Sequence, residues 1–385
     1  NSEFIFLVGT KSDQHELKLI YEKNVPIQGI KNNQILDIDI ICNIIKDNIL
    51  EIEKNLNFTL KEFILILNNF EFTFLNLSGF KKLNGSQLVK ENITYILNSL
   101  KSNVSELEKD KKILHIFNSQ YNLDKKKIEN IPIGLFGDFY SHELSFSMIK
   151  NNDLNNLQII FEKCNLRIKK IFLKGFLDGV NLISKKNNIE TFFKIDLNPN
   201  FTRIIFFKNS ALKFIQNFDY GSDLIIQDIS KIISLKVNSV RKIILKNTFE
   251  DKINRTDLLE KEYFENINFR KIKKSLIFEI AKARIEEISE KVLFKNINLE
   301  SFIKSETPIF LSIYDVDSYK CFKNCYENCF SQNKSYSISL DEEKNNENYI
   351  NNASKIVHFG WNKEAVPVIQ AKKSLIARFF HFLFR

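Results

Sequence analysis

The chain has 385 residues, enough for two domains with a core each. It is 44% apolar with 36 Phe, and its formal charge of +9 is spread over lysines set singly or in pairs between apolar positions, which argues against nucleic acid as a partner. Five cysteines, an odd number in a core-forming chain, exclude a disulfide framework; there is no signal peptide and no apolar run of the ~18 residues a spanning helix needs, so the expected compartment is the cytoplasm.

In chain order, FIFLV (Phe4 to Val8) and LKLIY (Leu17 to Tyr21) read as strands around a turn at Gly9 to Asp13. Ile38, Ile41, Ile45, Ile49, Ile52 and Leu56 recur at helical spacing within Ile35 to Leu56. FILIL (Phe63 to Leu67) is wholly apolar, as in a strand buried on both faces. From Phe70 to about Ser147 the pattern changes. A strand FEFTFLNL comes first, then a helix over Gln87 to Leu107 and a strand ILHIFNSQYNLD. A loop holding Lys125, Lys126 and Lys127 leads to a strand HELSFSM.

A helix over Asn151 to Asn165, a strand Ile168 to Leu173 and a helix Phe176 to Ser184 lead into the second half. There FFKID and TRIIFF flank the turn Asn198-Pro199-Asn200-Phe201, and ALKFIQNF follows Lys208-Asn209-Ser210. Tyr220-Gly221-Ser222-Asp223 opens an amphipathic helix with a Ser/Asp cap signal. Lys274 to Val292 is a second amphipathic helix, with Ile277, Ile280, Ala281, Ile285 and Ile288 inward and Glu286, Glu287, Glu290 and Lys291 outward. PIFLSI (Pro308 to Ile313) is a last buried strand. Cys321, Cys325 and Cys329 lie on one face of a helix, and such a straight row cannot converge on one tetrahedral zinc, so no metal site is expected. Asn352 to Phe359 is a short closing helix, followed by a linker with Pro367.

This order of elements resembles the actin-like bacterial cell-division protein family FtsA. His115-Ile116 with Gln120-Tyr121 and Asp124 is similar to the family's HV-x-x-x-Y-x-x-D. Pro132-Ile133-Gly134-Leu135-Phe136-Gly137 is similar to P-[IV]-G-[LM]-x-G, Cys164-Asn165-Leu166 to ERCGL, and Gly221 with Asp228-Ile229 to G-x-x-x-T-x-D-I. Arg284 and Glu287 fall on P-R-x-x-E, with Ala283 in place of the proline. The resemblance implies an α/β, RNase H-like two-domain fold. Subdomain 1A would take 1–69 and 148–176, an inserted subdomain 1C 70–147, subdomain 2A 177–228 and 294–360, and subdomain 2B 229–293. A linker (361–371) and a C-terminal amphipathic helix (372–385) would complete it.

The resemblance also implies a function: an adaptor, tethered to the cytoplasmic face of the bacterial inner membrane at the division site. Such an adaptor binds the C-terminal peptide of the tubulin-like FtsZ, self-associates into protofilaments and recruits later membrane proteins of division. Arg284 and Glu287 are the positions implied for the FtsZ peptide, on a guanidinium's bidentate fit to carboxylates. An Arg284 paired within its own helix to Glu287 or Glu290 is the competing reading. ATP with Mg²⁺ is the family's cofactor, held by a DxGGGT-type turn and a T-G-G-[AS] turn. Here those positions are Asp196, Asn198, Pro199 and Asn200 in the first, with Gly221 in the segment that follows it, and Ser312, Ile313 and Tyr314 in the second. The family's first phosphate loop belongs before residue 1.

A phosphate loop aims consecutive backbone N–H groups at the anion with no Cβ in the way. Pro199 removes one N–H and fixes φ, and Ile313 and Tyr314 fill space that paired glycines leave open. The expectation is therefore weak or no nucleotide binding and no catalytic residue. Two other readings remain: an actin-like ATPase with a distorted but working site, and an actin-like scaffold of the pilus-assembly type.

The tail, KKSLIARFFHFLFR, puts Ser374, Arg378, His381 and Arg385 on one side of a helix. Leu375, Ile376, Phe379, Phe380, Phe382, Leu383 and Phe384 cover the rest, with Lys372 and Lys373 at the start. Fourteen residues rise about 21 Å, short of a hydrocarbon core of roughly 30 Å. A basic, Phe-rich amphipathic end reads as a helix lying in an anionic membrane surface; a helix docked on the protein's own core is the competing reading.

Overall fold

The computed structural model describes residues 3–365 apart from short segments at 12–16, 32–33, 69, 187–188, 250–255, 265–267, 300–301, 303–306, 332–337 and 341–345. Its contacts divide the chain into two units. The first takes Asn1–Glu190, Phe207–Phe214 and Lys344–Arg385, and the second Thr191–Phe206 and Ile215–Glu343. The segment 294–360, expected as part of subdomain 2A, divides at about residue 343 and its end clusters with the first unit.

The first unit opens with an antiparallel pair, β1 (Glu3–Lys11) and β2 (Leu17–Pro26), followed by the small hairpin of β3 (Ile30–Lys31) and β4 (Gln34–Ile35). Helix α1 (Ile38–Leu56) is capped by the Asp37 carboxylate, which accepts the Ile40 N–H, and it ends at Asn57 in the left-handed region. Its buried residues Ile41, Cys42, Ile45 and Ile52 repeat the sequence periodicity. Ile41, Cys42 and Ile45 pack with Leu157, Ile160 and Phe161 of a later helix and with Leu67 of β5 (Glu62–Leu67).

The region expected as an insertion is a sheet with its own core. It contains β6 (Phe72–Lys82), α2 (Lys90–Leu107), β7 (Lys111–Leu123), β8 (Lys126–Ile128) and β9 (Phe139–Lys150), in the strand order β6-β9-β7-β8. Leu88, Val104, Leu144, Phe146 and Met148 fill the space between α2 and the sheet. Lys126 and Lys127, expected in a loop, lie in β8; Asp124 and Lys125 form the two-residue turn before it, at φ +50° and +67°. Both central residues at positive φ is the conformation that suits the twist of a tight hairpin. Helix α3 (Asn151–Lys163) and β10 (Arg167–Leu173) return the chain to β5, with which β10 pairs in parallel. Helix α4 (Lys174–Lys185) closes this stretch.

The second unit is built on a five-stranded sheet. β11 (Phe192–Leu197), β12 (Thr202–Lys208) and β13 (Ala211–Phe218) are the three strands expected from FFKID, TRIIFF and ALKFIQNF. Helices α5 (Asp223–Ile233), α6 (Val237–Lys246) and α7 (Lys274–Ser289) follow, and α5 packs against both others. The inward face of α7 is as read from the sequence, but the regular helix stops at Ser289 and Glu290–Phe294 form a π-helical turn. β14 (Ile309–Ile313) lies between β11 and β15 (Ile338–Leu340), giving the order β13-β12-β11-β14-β15. The cysteine row is broken: α8 (Val316–Cys321) ends at Cys321 and α9 (Lys323–Phe330) carries Cys325 and Cys329. All three thiols are buried, and among the described residues no cluster could hold a metal.

The tip of the β12–β13 hairpin, 207–214, belongs to the first unit. Its turn residues Asn209 and Ser210 sit at φ +51° and +61°. Asn209 donates to the Ser119 carbonyl at 2.8 Å, and the fully buried Lys213 ammonium lies 2.5 Å from Glu143 and 3.0 Å from Ser119 Oγ. Helix α10 (Asn346–Phe359), longer than the expected Asn352 to Phe359, packs on α4 and β2 in the same unit.

Candidate functional site

The turn expected to be a degraded phosphate loop is in the second unit, and its geometry is specific. Asn198 N–H donates to the Phe201 carbonyl at 2.9 Å, which closes the turn. The Asn198 and Pro199 carbonyls then accept the N–H groups of Ser222 and Asp223, at 3.1 and 2.9 Å, at the start of α5. A helix N-terminus carries unsatisfied N–H groups and a partial positive charge, the two features an anion would use. Here the turn's own oxygens take the first of those donors. Ser222 makes no side-chain cap; its hydroxyl donates instead to Asp315 at 3.0 Å. Gly221 permits the approach: a Cβ there would stand 1.9 Å from the Asn198 oxygen and 2.6 Å from that of Pro199.

Asp196 is the second part of the site. β11 and β14 pair in parallel with Asp196 opposite Ser312, so those two expected positions are brought together. Lys194, two residues before Asp196 and on the same face of β11, ion-pairs with its carboxylate and donates to Ser312 Oγ at 3.3 Å. All three side chains are buried. An ammonium already neutralises the carboxylate that a magnesium-bound water would need. The residues present therefore do not fit a nucleotide phosphate with its metal: the N–H donors at α5 are bonded, carbonyl oxygens face the anion position, and Asp196 is paired. Asn200 has no place in these contacts beyond its position in the turn.

Arg284 and Glu287 lie on the half-buried flank of α7. The Arg284 guanidinium reaches Asp228 of α5 at 2.5 Å and Glu287 at 2.6 Å, and Lys291 reaches Glu287 at 2.5 Å. The hydrogen bond from Lys291, opposed by a little burial and aided by both cations, keeps the Glu287 carboxyl below its ordinary range. Arg284 is thus one member of a chain of alternating charges across two helices. The pairing with Glu287 is the one weighed from sequence. The pairing with Asp228, far away in the chain, had no local signal.

The tail residues, Lys372 to Arg385, lie outside the described residues, which end at Ala365. Trp361 to Ala365, here called the strap, lies against β7. Asn118 N–H donates to the Lys363 carbonyl at 2.6 Å, Ala365 N–H donates to the Ile116 carbonyl at 2.7 Å, and Glu364 bridges to Phe117. The Trp361 indole N–H donates to the Ser210 carbonyl at 3.0 Å, and its ring stands edge-on to Phe176 at 6.1 Å.

Glu364 points inward. Its carboxylate accepts from His115 Nδ1–H at 2.8 Å and from Lys170 at 2.9 Å. Burial would raise that carboxyl, but the His115 hydrogen bond and the Lys170 charge hold it at about 2. His115 is fully enclosed, ringed by Phe117, Phe172 and Phe176, and burial lowers its pKa against the pull of Glu364. None of Trp361, Glu364 or Lys170 was singled out from the sequence. The one available hint was that Trp361 is the sole tryptophan, at the start of a stretch read as a linker.

No protein-family model matches the chain. In sequence it is 21% identical over 313 residues to the cell division protein FtsA of Buchnera aphidicola, covering 79% of this chain and 73% of that one. It is 21% identical over 288 residues to FtsA of Bacillus subtilis, covering 74% of this chain and 65% of the relative, so that it spans about two thirds of the relative's length. In structure it is similar to a PilM–PilN type IV pilus biogenesis complex chain, with a TM-score of 0.52, 8% identity and 93% of each chain covered. The chain has the two-domain actin-like fold, and along some three quarters of its length it resembles the FtsA cell division proteins.

Proposed function

We propose that the chain is a membrane-tethered, actin-like adaptor of cell division, which anchors FtsZ filaments to the cytoplasmic face of the inner membrane at the division site. The observation that carries this reading is the combination of FtsA relatives with a basic, Phe-rich terminal segment. Each apolar side chain of that segment is worth about 1.5 to 3 kcal/mol if fully buried, and each cation about 1 kcal/mol at an anionic surface. A helix of 14 residues is marginal in water and must be ordered on binding, so one tail binds reversibly while several on a protofilament bind strongly. Attachment would then depend on self-association, and later division proteins would be recruited to the assembled form.

In this reading the protein works without nucleotide hydrolysis. The bonded N-terminus of α5 and the Lys194–Asp196 pair support it. The FtsZ peptide would meet the second unit near α7, where Arg284 must exchange Asp228 or Glu287 for the incoming carboxylates.

The test is sedimentation of FtsZ with anionic vesicles, with the protein, without it, and with a version ending at Gln370. FtsZ in the pellet only with the intact protein supports the adaptor reading. If the protein reaches vesicles and FtsZ stays in solution, the partner is wrong. One specific observation favours a second reading, an adaptor for a pilus-type membrane complex: the structural likeness to the PilM–PilN chain extends over 93% of the molecule. The second outcome is the one that reading expects.

A further inference from the structure

The four-stranded sheet of the first unit covers one of its edges and leaves the other open. On the β7 side, β8 pairs with Tyr121 to Leu123, and the strap bonds to Ile116 and Asn118. On the far side lies β6, eleven residues long, paired with β9 in one continuous register from Phe72 to Lys82. Among the described residues no other strand or loop bonds to the backbone of its outer edge. Soluble proteins blunt such edges with a bulge, a proline or a charge in mid-strand. β6 has none of these. The nine residues Phe72 to Phe80, FTFLNLSGF, hold no charge and no proline, and the pairing with β9 has no bulge. A long, regular, uncharged edge is a template for another strand.

The strand this edge fits is a second β6. Glu71 stands at one end of the uncharged run, and Lys81 and Lys82 at the other. Laid antiparallel, two such strands bring each Glu71 to the lysines of the other copy, whereas a parallel pair would set like charges together. Glu71 already reaches Lys150, but both side chains are exposed and such a pair contributes little, so little is lost if Glu71 turns to the incoming lysine. Side chains alternate between the faces of a sheet, so a two-fold axis through a β6–β6 pair must pass through a residue. With Asn76 on the axis, Glu71 falls opposite the other copy's Lys81, Phe72 opposite Phe80, Phe74 opposite Ser78 and Leu75 opposite Leu77. Leu75 and Leu77 pack on the core beneath α2, so this apolar row would run unbroken from one copy to the next. On the other face Asn76, Ser78 and Phe80 are exposed, Phe80 by 64%.

We propose that β6 is a self-association edge. Two copies of the chain pair β6 to β6, antiparallel about Asn76, and join their four-stranded sheets into one. The contact is isologous, so it closes at two copies and gives a dimer rather than a filament. It needs neither the tail nor FtsZ, and it stands apart from the adaptor reading.

The experiment is sedimentation equilibrium of the full chain, which should show a reversible monomer–dimer equilibrium. Ser78→Lys sets a charge at an exposed position in the middle of the edge and should weaken the dimer about tenfold or more. Glu71→Lys should weaken it too, and Glu71→Lys with Lys81→Glu should restore it, because each end again meets its opposite. Cross-linking reads the register. Asn76→Cys should oxidise to a disulfide-linked dimer, while Ser78→Cys should not link to itself but should link to a differently tagged Phe74→Cys chain. The native thiols are buried or half-buried, so the cross-link reports on the introduced one. A chain that stays monomeric throughout the micromolar range overturns the proposal. So does self-association that survives Ser78→Lys unchanged, or a charge-swapped double variant no better than Glu71→Lys alone. None of these results touches the sedimentation of FtsZ with vesicles, on which the adaptor reading stands or falls.

Discussion

At the scale of single residues, the second unit's phosphate-like turn is held by two contacts that glycine and lysine make possible. Gly221→Ala places a methyl group 1.9 Å from the Asn198 oxygen. Either the turn or the start of α5 must then move, with a loss of stability of about 2 kcal/mol or more, read by denaturant unfolding. The buried Lys194–Asp196 pair makes a different prediction. Lys194→Met leaves a buried carboxylate without its cation and should cost about 3 to 5 kcal/mol, whereas Lys194→Met with Asp196→Leu should recover much of that loss. If the double variant is as unstable as the single one, the pair is not the unit that matters. The sequence placed Asp196 and Ser312 in two separate motifs; that they stand opposite each other needed the pairing of β11 with β14. It did not reveal Lys194. A lysine inside an apolar strand reads as a solvated residue until the neighbouring strand supplies Ser312 and closes off water.

At the scale of elements, strands and helices followed the periodicity closely. Ile41, Ile45 and Ile52 of α1 and Ile277, Ile285 and Ile288 of α7 are buried as their spacing requires. What periodicity missed are features fixed by distant contacts. β8 is three residues long and forms because β7 offers it an edge. The cysteine-bearing helix breaks at Phe322, whose ring stacks on Phe249 at 5.5 Å. The strap is a stretch with linker composition that backbone bonds to β7, the His115 imidazole and the Lys170 ammonium hold in place.

Its pH dependence follows from two groups. Glu364 has its folded pKa lowered from 4.5 to about 2, so its contribution is complete above 4.5 and fades as pH falls from there through 2. His115 is also lowered, by burial, so the undocked form takes up a proton more readily once pH drops below 6.5. Both act in the same direction. The expected outcome is a red shift of Trp361 emission that starts near pH 6 and grows below pH 4.5, with little change between pH 7 and 9.

At the scale of the whole molecule, an actin-like fold carries, where a phosphate turn was expected, a turn that bonds to the start of α5. Adding millimolar ATP and Mg²⁺ should therefore leave the melting temperature unchanged. A ligand present at 100 times its Kd would stabilise by about 2.7 kcal/mol, a shift easily seen, and such a shift would restore the ATPase alternative. The order of strands and helices was readable because each apolar run had a place in the resemblance. The return of the chain after residue 343 to the first unit was not, since α10 is bound there by packing on α4 and β2, which leaves no mark in its own sequence.

The burial of the cysteines has a practical consequence. Cys42, Cys321, Cys325 and Cys329 are enclosed, and the half-buried Cys164 has its thiol pushed up to about 11 by burial and by Cys42. Near neutral pH only on the order of one Cys164 in several thousand is a thiolate, so alkylating reagents find almost nothing to attack in the folded chain. Two of these thiols lie in the first unit and three in the second. Pulse alkylation followed by peptide mass measurement would thus time the opening of each unit separately, with no introduced label. A cysteine placed at an exposed site such as Lys126 could carry a probe on the otherwise native protein.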